Sequence, residues 1–254
     1  MAIQDYIENH SVFTVAELLS TVGDSQANRN LLSRAHKAGK VQKVSTGVYV
    51  SNTGRYRADD VLPFDVAKKL GNNPIFCYSS ALDLHFGLHD ICYNVSFYDG
   101  LRTKTVDFQS YNYCCYPTPE HIDFKQICLF DGSRFFVTTK EQTIVDCLDK
   151  PNRAGGVESI FRSLSTLNRM NVQTAIDLAI SRSKSTAAKL GWLLETKKDE
   201  WNVSVEQLNQ LEKVLSEGPY FFTPALSKSD ACWCPKWKIY LPEPQETMEG
   251  WING

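Results

Sequence analysis

Residues 14–50 read TVAELLSTVGDSQANRNLLSRAHKAGKVQKVSTGVYV, and the punctuation of this stretch predicts how the N-terminal segment folds. Thr14 with Glu17 three residues later has the form of a capping box, opening a helix that buries Val15, Leu18 and Leu19. Thr21-Val22-Gly23 breaks the chain, and Asp24 or Ser25 is placed to cap the next helix. That helix is expected to run to about Ala38, with Ala27, Leu31, Leu32 and Ala35 inward at helical spacing, and Gly39 ends it. Just upstream, Ile3 to Asn9 offers a short amphipathic helix with Ile3, Tyr6 and Ile7 on one face. Downstream, Lys40–Val44 and Val48–Val50 alternate as short strands about a Ser45-Thr46-Gly47 turn. Three helices followed by a two-stranded hairpin is the order of a winged helix-turn-helix.

On this reading the outward positions of the third helix are Gln26, Arg29, Asn30, Ser33 and Lys37. Gln, Asn and Arg hydrogen-bond base edges in pairs, while Lys37, Lys40 and Lys43 suit phosphate contact. With Ser25 at the helix start and Ser45 and Thr46 in the turn, these form the expected DNA-binding set. A solvated surface helix, or a winged helix that docks a protein, would use similar residues.

Charge distribution separates these readings. The chain carries 27 Lys and Arg against 29 Asp and Glu, a net of −2 that taken alone argues against nucleic acid. Yet residues 25–57 hold Arg29, Arg34, Lys37, Lys40, Lys43, Arg55 and Arg57 and no carboxylate. The remainder has 20 basic residues against 29 acidic ones, so a +7 segment is attached to a −9 body. Carboxylates repel phosphates, and their absence favours DNA.

At 254 residues, 43% hydrophobic and 22% charged, the chain has a globular composition. No apolar run approaches the ~20 residues that span a bilayer. Met1-Ala2-Ile3-Gln4-Asp5 shows no basic start before an apolar segment, so a soluble cytoplasmic protein without a membrane partner is expected. Its eight cysteines are scattered rather than repeated at zinc spacing. Only Cys232 and Cys234 suggest half a site, so reduced thiols and no metal are expected.

The predicted class is α+β, with the winged helix-turn-helix at 1–57 and a mixed domain at 58–254. Pro63–Leu70 and Ser79–Leu88 read as helices. From about 91 to 137 period-two patterns predict an antiparallel-rich sheet, with strands at Tyr93–Tyr98, Thr105–Phe108, Tyr111–Cys115, Ile127–Phe130 and Phe135–Val137. Asp99-Gly100 and Asp131-Gly132 supply turns. Residues 139–216 read as helical, and 221–254 as a Trp- and Pro-rich tail that Trp233, Trp237 and Tyr240 would anchor.

Nothing here asks for catalysis, so no enzyme and no cofactor are expected. His85 and His89 stand at a ligand-like spacing, but Gly87 between them ends the helix and no glutamate completes a zinc-hydrolase pattern. Core or capping roles fit them better. Asp83, Asp90, Asp99 and Asp107 offer the raw material of a nuclease-like cluster without a lysine at a telling spacing. A cryptic nuclease and a protein-docking module are the alternatives to a DNA-binding regulator.

Several segments also match a known pattern. Thr46-Gly47-Val48-Tyr49-Val50, Ser80-Ala81-Leu82 with His85-Phe86-Gly87-Leu88, and Thr138–Leu148 come first, in that order. Gly155-Gly156-Val157-Glu158 and Lys189–Glu195 follow. Together the chain resembles the AbiEi family of antitoxins over roughly residues 10–195. The resemblance implies an N-terminal winged helix that binds inverted repeats in its own promoter and represses transcription; such binding is expected to use a homodimer with half-sites one or more turns apart. It further implies a C-terminal antitoxin domain in a type IV toxin–antitoxin, phage-defence pair, whose toxin is a nucleotidyltransferase-like protein.

Overall fold

A computed structural model of the protein describes residues 1–88, 92–129, 132–224 and 226–253. The chain begins with α1 (Ile3–Asn9), β1 (Val12–Thr14), α2 (Val15–Val22), α3 (Gln26–Lys37), β2 (Val41–Ser45) and β3 (Val48–Ser51). Then come α4 (Pro63–Leu70), β4 (Ile75–Phe76), α5 (Tyr78–Phe86), β5 (Asn94–Tyr98), β6 (Lys104–Phe108) and β7 (Tyr111–Tyr116). Next are β8 (Phe124–Cys128), β9 (Arg134–Thr138), α6 (Lys140–Asp149), α7 (Val157–Leu164), α8 (Val172–Arg182), α9 (Lys184–Thr196) and α10 (Val205–Val214). The tail adds β10 (Tyr220–Phe221), β11 (Cys232–Cys234), β12 (Ile239–Leu241) and α11 (Gln245–Asn253). The class is α+β, antiparallel-rich in its sheets and helical at its C-terminal end.

Two compact units form, Met1–Pro74 with Tyr93–Thr118, and Ile75–Cys92 with Pro119–Gly254. This grouping differs from the expected division at 57/58. Helix α4 packs on β1, β3 and β5, which ties segments well beyond residue 57 to the N-terminal elements.

In the first unit, α1, α2 and α3 close over Ile3, Tyr6, Ile7, Phe13, Leu18, Leu32, Ala35 and Val41. Each large aliphatic side chain buried there contributes about 1.5–3 kcal/mol. The capping box forms as expected: Thr14 Oγ1 accepts from Glu17 N at 3.1 Å, and Glu17 Oε2 accepts from Thr14 N at 2.8 Å. Ser25 caps α3, its Oγ accepting from Asn28 N at 3.2 Å.

Strand β1 was not expected. It holds three residues whose partners in β3 (Val12↔Val50, Thr14↔Val48) are remote in sequence, so no local alternation announces it. The antiparallel sheet runs β1-β3-β2, and Thr46-Gly47 closes the hairpin.

Helix α3 is rotated from its expected setting. Ala27 is exposed and Leu31 is 44% exposed, while the inward stripe is Asn28, Leu32 and Ala35. Asn28 Nδ2 donates to Val22 O at 3.0 Å and to Gly23 O at 2.8 Å. A helix end leaves carbonyls without partners, and the amide satisfies two of them at the end of α2. That gain, set against burying one leucine, turns the helix.

Strands β5, β7 and β6 complete the first unit, with β7 parallel to β5 and antiparallel to β6. The second unit repeats that arrangement. There β9 pairs parallel to β4 and antiparallel to β8, and β12 pairs parallel to β10 and antiparallel to β11. Its helices enclose Leu82, Ile144, Leu148, Phe161, Leu193 and Phe222.

The tail is anchored by one of the three expected aromatics. Trp237 is fully buried, whereas Trp233 is 44% exposed. Gly191 of α9 is the socket: a Cβ at this position would run into the Trp237 ring. Trp237 Nε1–H donates to Glu195 Oε2 at 2.7 Å. His85 sits between solvent and core, and its Nε2–H donates to Thr138 O at 2.6 Å. His89, Asp90 and Asp131 lie outside the described residues. Among the described residues no disulfide joins any two cysteines. Among the described residues no helix is long and apolar enough to cross a membrane.

Candidate nucleic-acid interface

With Asn28, Leu32 and Ala35 inward, the opposite side of α3 carries Gln26, Asn30, Ser33 and Lys37, all exposed. Gln26 Nε2 donates to Asn30 Oδ1 at 3.0 Å, which aligns two amides one turn apart. Arg34, four residues beyond Asn30 and exposed, borders the same face on its other flank, beside Leu31 and Ala38. It was missed because taking Ala27 and Leu31 as inward rotates the predicted face away from it.

Arg29 stands on the flank and has a partner. Its Nε donates to Asp24 Oδ1 at 3.0 Å and its Nη2 to Asp24 Oδ2 at 2.9 Å. Asp24 immediately precedes the acid-free segment, so a count that starts at residue 25 passes over it. Both side chains are largely exposed, at 48% and 62%, and such a pair contributes about 0–1 kcal/mol. A phosphate can therefore compete for this arginine.

The hairpin supplies the remaining expected residues. Lys40 is exposed and donates through Nζ to Gln4 Oε1 at 3.2 Å. Lys43 and Thr46 are exposed and Ser45 is half-buried. Gly47 adopts φ +85°, which the turn requires and an L side chain resists. Its carbonyl accepts from Val15 N at 2.8 Å, fixing the turn to the start of α2. His36 Nδ1–H donates to Val41 O at 3.2 Å, joining the last turn of α3 to β2. The expected residues thus fall on two adjoining elements, one helix face and one hairpin, with Ser25 capping the helix.

On α2, Glu17 receives a hydrogen bond from Lys69 of α4. Burial pushes the Glu17 carboxyl up. The bonds from Lys69 and Thr14 outweigh it, holding the group below the usual carboxylate range. It stays ionised at neutral pH and fastens α4 to α2.

Among the described residues, Asp83, Asp99 and Asp107 do not assemble into a cluster. Asp99 Oδ2 accepts from Asn72 N at 2.9 Å, Asp107 is exposed on β6, and Asp83 belongs to the other unit. Among the described residues no group of three or more His, Cys, Asp and Glu is placed to hold a metal ion. Burial holds the His85 imidazole below its ordinary pKa, the state of a neutral ring donating to a carbonyl.

No protein-family model matches the chain, and no curated protein sequence matches it. A solved structure does. The crystal structure of the RV2827C protein from Mycobacterium tuberculosis is similar with a TM-score of 0.66 at 12% identity. The likeness covers 98% of this chain and 93% of that one. At such identity it is a likeness of fold, and it extends across both compact units.

Proposed function

We propose that this protein is a sequence-specific DNA-binding transcriptional repressor, acting through an N-terminal winged helix-turn-helix and autoregulating its operon. The observation that carries the reading is the outward face of α3, where Gln26, Asn30, Ser33 and Lys37 stand together, bordered by Arg34, with no carboxylate among them. In this reading α3 enters the major groove, with Gln26, Asn30 and Ser33 toward base edges and Arg34 and Lys37 toward phosphates. The β2–β3 hairpin is the wing, and Lys40, Lys43, Ser45 and Thr46 lie along the backbone. Two copies bind inverted repeats whose half-sites are one or more turns apart, at ~34 Å per turn.

The test is selection from a pool of random duplexes, followed by gel shifts on the recovered sequence. A repeated half-site is expected. Asn30→Ala with Ser33→Ala weakens binding about 10–100-fold while leaving binding to unrelated duplexes in place. If no sequence is enriched, the reading fails.

The antitoxin role rests on the resemblance to AbiEi proteins, whose segments beyond the wing fall in the second unit, on or beside α5, α6, α7 and α9. A nucleotidyltransferase-like toxin encoded alongside is the partner this implies. Co-expression tests it: rescue of growth that survives Asn30→Ala with Ser33→Ala assigns neutralisation to the second unit. Toxicity that persists with the intact chain removes the antitoxin role and leaves the repressor.

One observation favours protein docking instead. Leu31 is 44% exposed and lines a shallow hollow of about 350 Å3 with Ala2, Ile3 and Ala38. Stable co-purification with a partner in nuclease-treated extract, lost in Leu31→Ser, would favour that reading over DNA.

A further inference from the structure

We infer that the turn at 99–103 and the first residue of β6 form a second phosphate-binding element beside the wing, with Arg102 and Lys104 as its cations. The inference rests on the DNA-binding reading and adds to it a contact outside the helix-hairpin segment.

A cavity of about 610 Å3 within the first unit brings Ser45 and Thr46 of the hairpin together with Arg102 and Lys104. Strand β2 packs beside β6, which carries Lys104 at its start. Arg102, Thr103 and Lys104 are all exposed, and Leu101 is 91% exposed, so the turn projects instead of closing the core. One carboxylate, Asp99, also lines the cavity. It is held back toward the end of α4, where Oδ2 accepts from Asn72 N at 2.9 Å.

Two exposed cations thus stand next to the tip that the proposed wing applies to the duplex. Arg and Lys neutralise phosphates by displacing condensed counterions, and each contact steepens the salt dependence by about 0.9. Fold alone makes the juxtaposition: Arg102 and Lys104 are more than fifty residues from Thr46 and belong by position to the acidic remainder.

The experiment measures affinity for a fluorescein-labelled 30-base-pair duplex of mixed sequence across a range of salt. Wild type is compared with Arg102→Ala/Lys104→Ala and with the conservative Arg102→Lys/Lys104→Arg. A Lys125→Ala/Lys213→Ala control removes two exposed charges from the second unit. The alanine pair is expected to flatten the slope of log K against log salt by about two and to weaken binding about 30-fold at 0.15 M salt. The conservative pair and the control should keep the wild-type slope. If the alanine pair keeps that slope, or the control loses as much, the inference is overturned while the repressor reading stands. If wild type binds no duplex at low salt, both fall.

Discussion

The exposed face of α3 and the packed faces of α6, α8 and α9 are both rich in polar residues, yet they treat them in opposite ways. In the second unit, Asp146 is buried and accepts from Gln142 Nε2 at 2.8 Å and from Arg182 Nη2 at 2.6 Å. Lys189, also buried, donates to Leu148 O at 2.8 Å, and Thr186 Oγ1 donates to Asp149 Oδ1 at 3.0 Å. Among the described residues no buried side-chain nitrogen or oxygen lacks a partner. On the outward face of α3 the polar groups stay in water, with Gln26 and Asn30 bonded to each other. Burying a polar group is tolerated only when it is matched, so the matched ones hold the fold together. Unmatched ones on a shared exposed face are available to something else. Residue type alone does not separate the two cases.

This contrast can be broken by substitution. The largest effect is expected in the second unit, at Trp237→Ala, which should cost about 3–5 kcal/mol in urea unfolding. Gly191→Ala should cost about 1–3 kcal/mol by forcing the same ring out of its socket. A loss below ~1 kcal/mol for both would mean that the tail is not anchored there.

Next comes a pH effect at Lys189, whose pKa burial pulls down from 10.5 to about 8. Between those values the unfolded chain holds the proton and the folded one does not, so stability rises with pH across this window. The gain approaches about 3 kcal/mol and levels off above it. It should appear as the wild-type curve minus that of Lys189→Met, with other titrating groups cancelling. A flat difference between pH 8 and 10.5 would show that the ammonium is not desolvated.

A smaller loss, about 2 kcal/mol, is expected for Arg182→Ala. A broken buried pair costs more, but Arg182 is 30% exposed and partly screened.

On α3 the order reverses, with stability barely moved and binding strongly so. Asn30→Ala with Ser33→Ala should change unfolding by less than ~0.5 kcal/mol while it removes sequence preference. Least of all, Asp24→Ala should tighten duplex binding a few-fold by releasing Arg29 and removing a carboxylate. Weaker binding in that variant would mean that Asp24 positions Arg29 rather than competing for it.

Much of this architecture is written locally. The Thr14/Glu17 box, the Ser25 cap, the Thr46-Gly47 turn and the period-two runs of β5, β6, β7 and β9 all depend on residues close in sequence, and those signals were readable. Strand β8 differs: the pattern predicts Ile127–Phe130, whereas pairing with β9 sets it at Phe124–Cys128, and Phe130 lies outside the described residues. What escaped depends on distant partners. Strand β1 exists because β3 is beside it. Asn28 turns inward because α2 ends where its amide can reach, and that rotation brings Arg34 to the border of the face. Cys232–Cys234 and Ile239–Leu241 are too short to show a period, so the tail reads only as Trp- and Pro-rich although it forms strands and a helix. Arg102 and Lys104 are visible as charges in the sequence, but only the folded chain sets them next to Thr46.

The seating of Trp237 on Gly191 also bears on the order in which the protein matures during synthesis. The last residue of the first unit, Thr118, leaves the ribosome well before Trp237, and the socket on α9 stays empty until Trp237 follows. At the usual pace of translation that interval is on the order of 10 s. For that time each nascent chain carries every residue of the first unit ahead of an incomplete second one. Codon choice and chaperone capture within the stretch 119–237 would therefore act while the second unit still lacks its anchor.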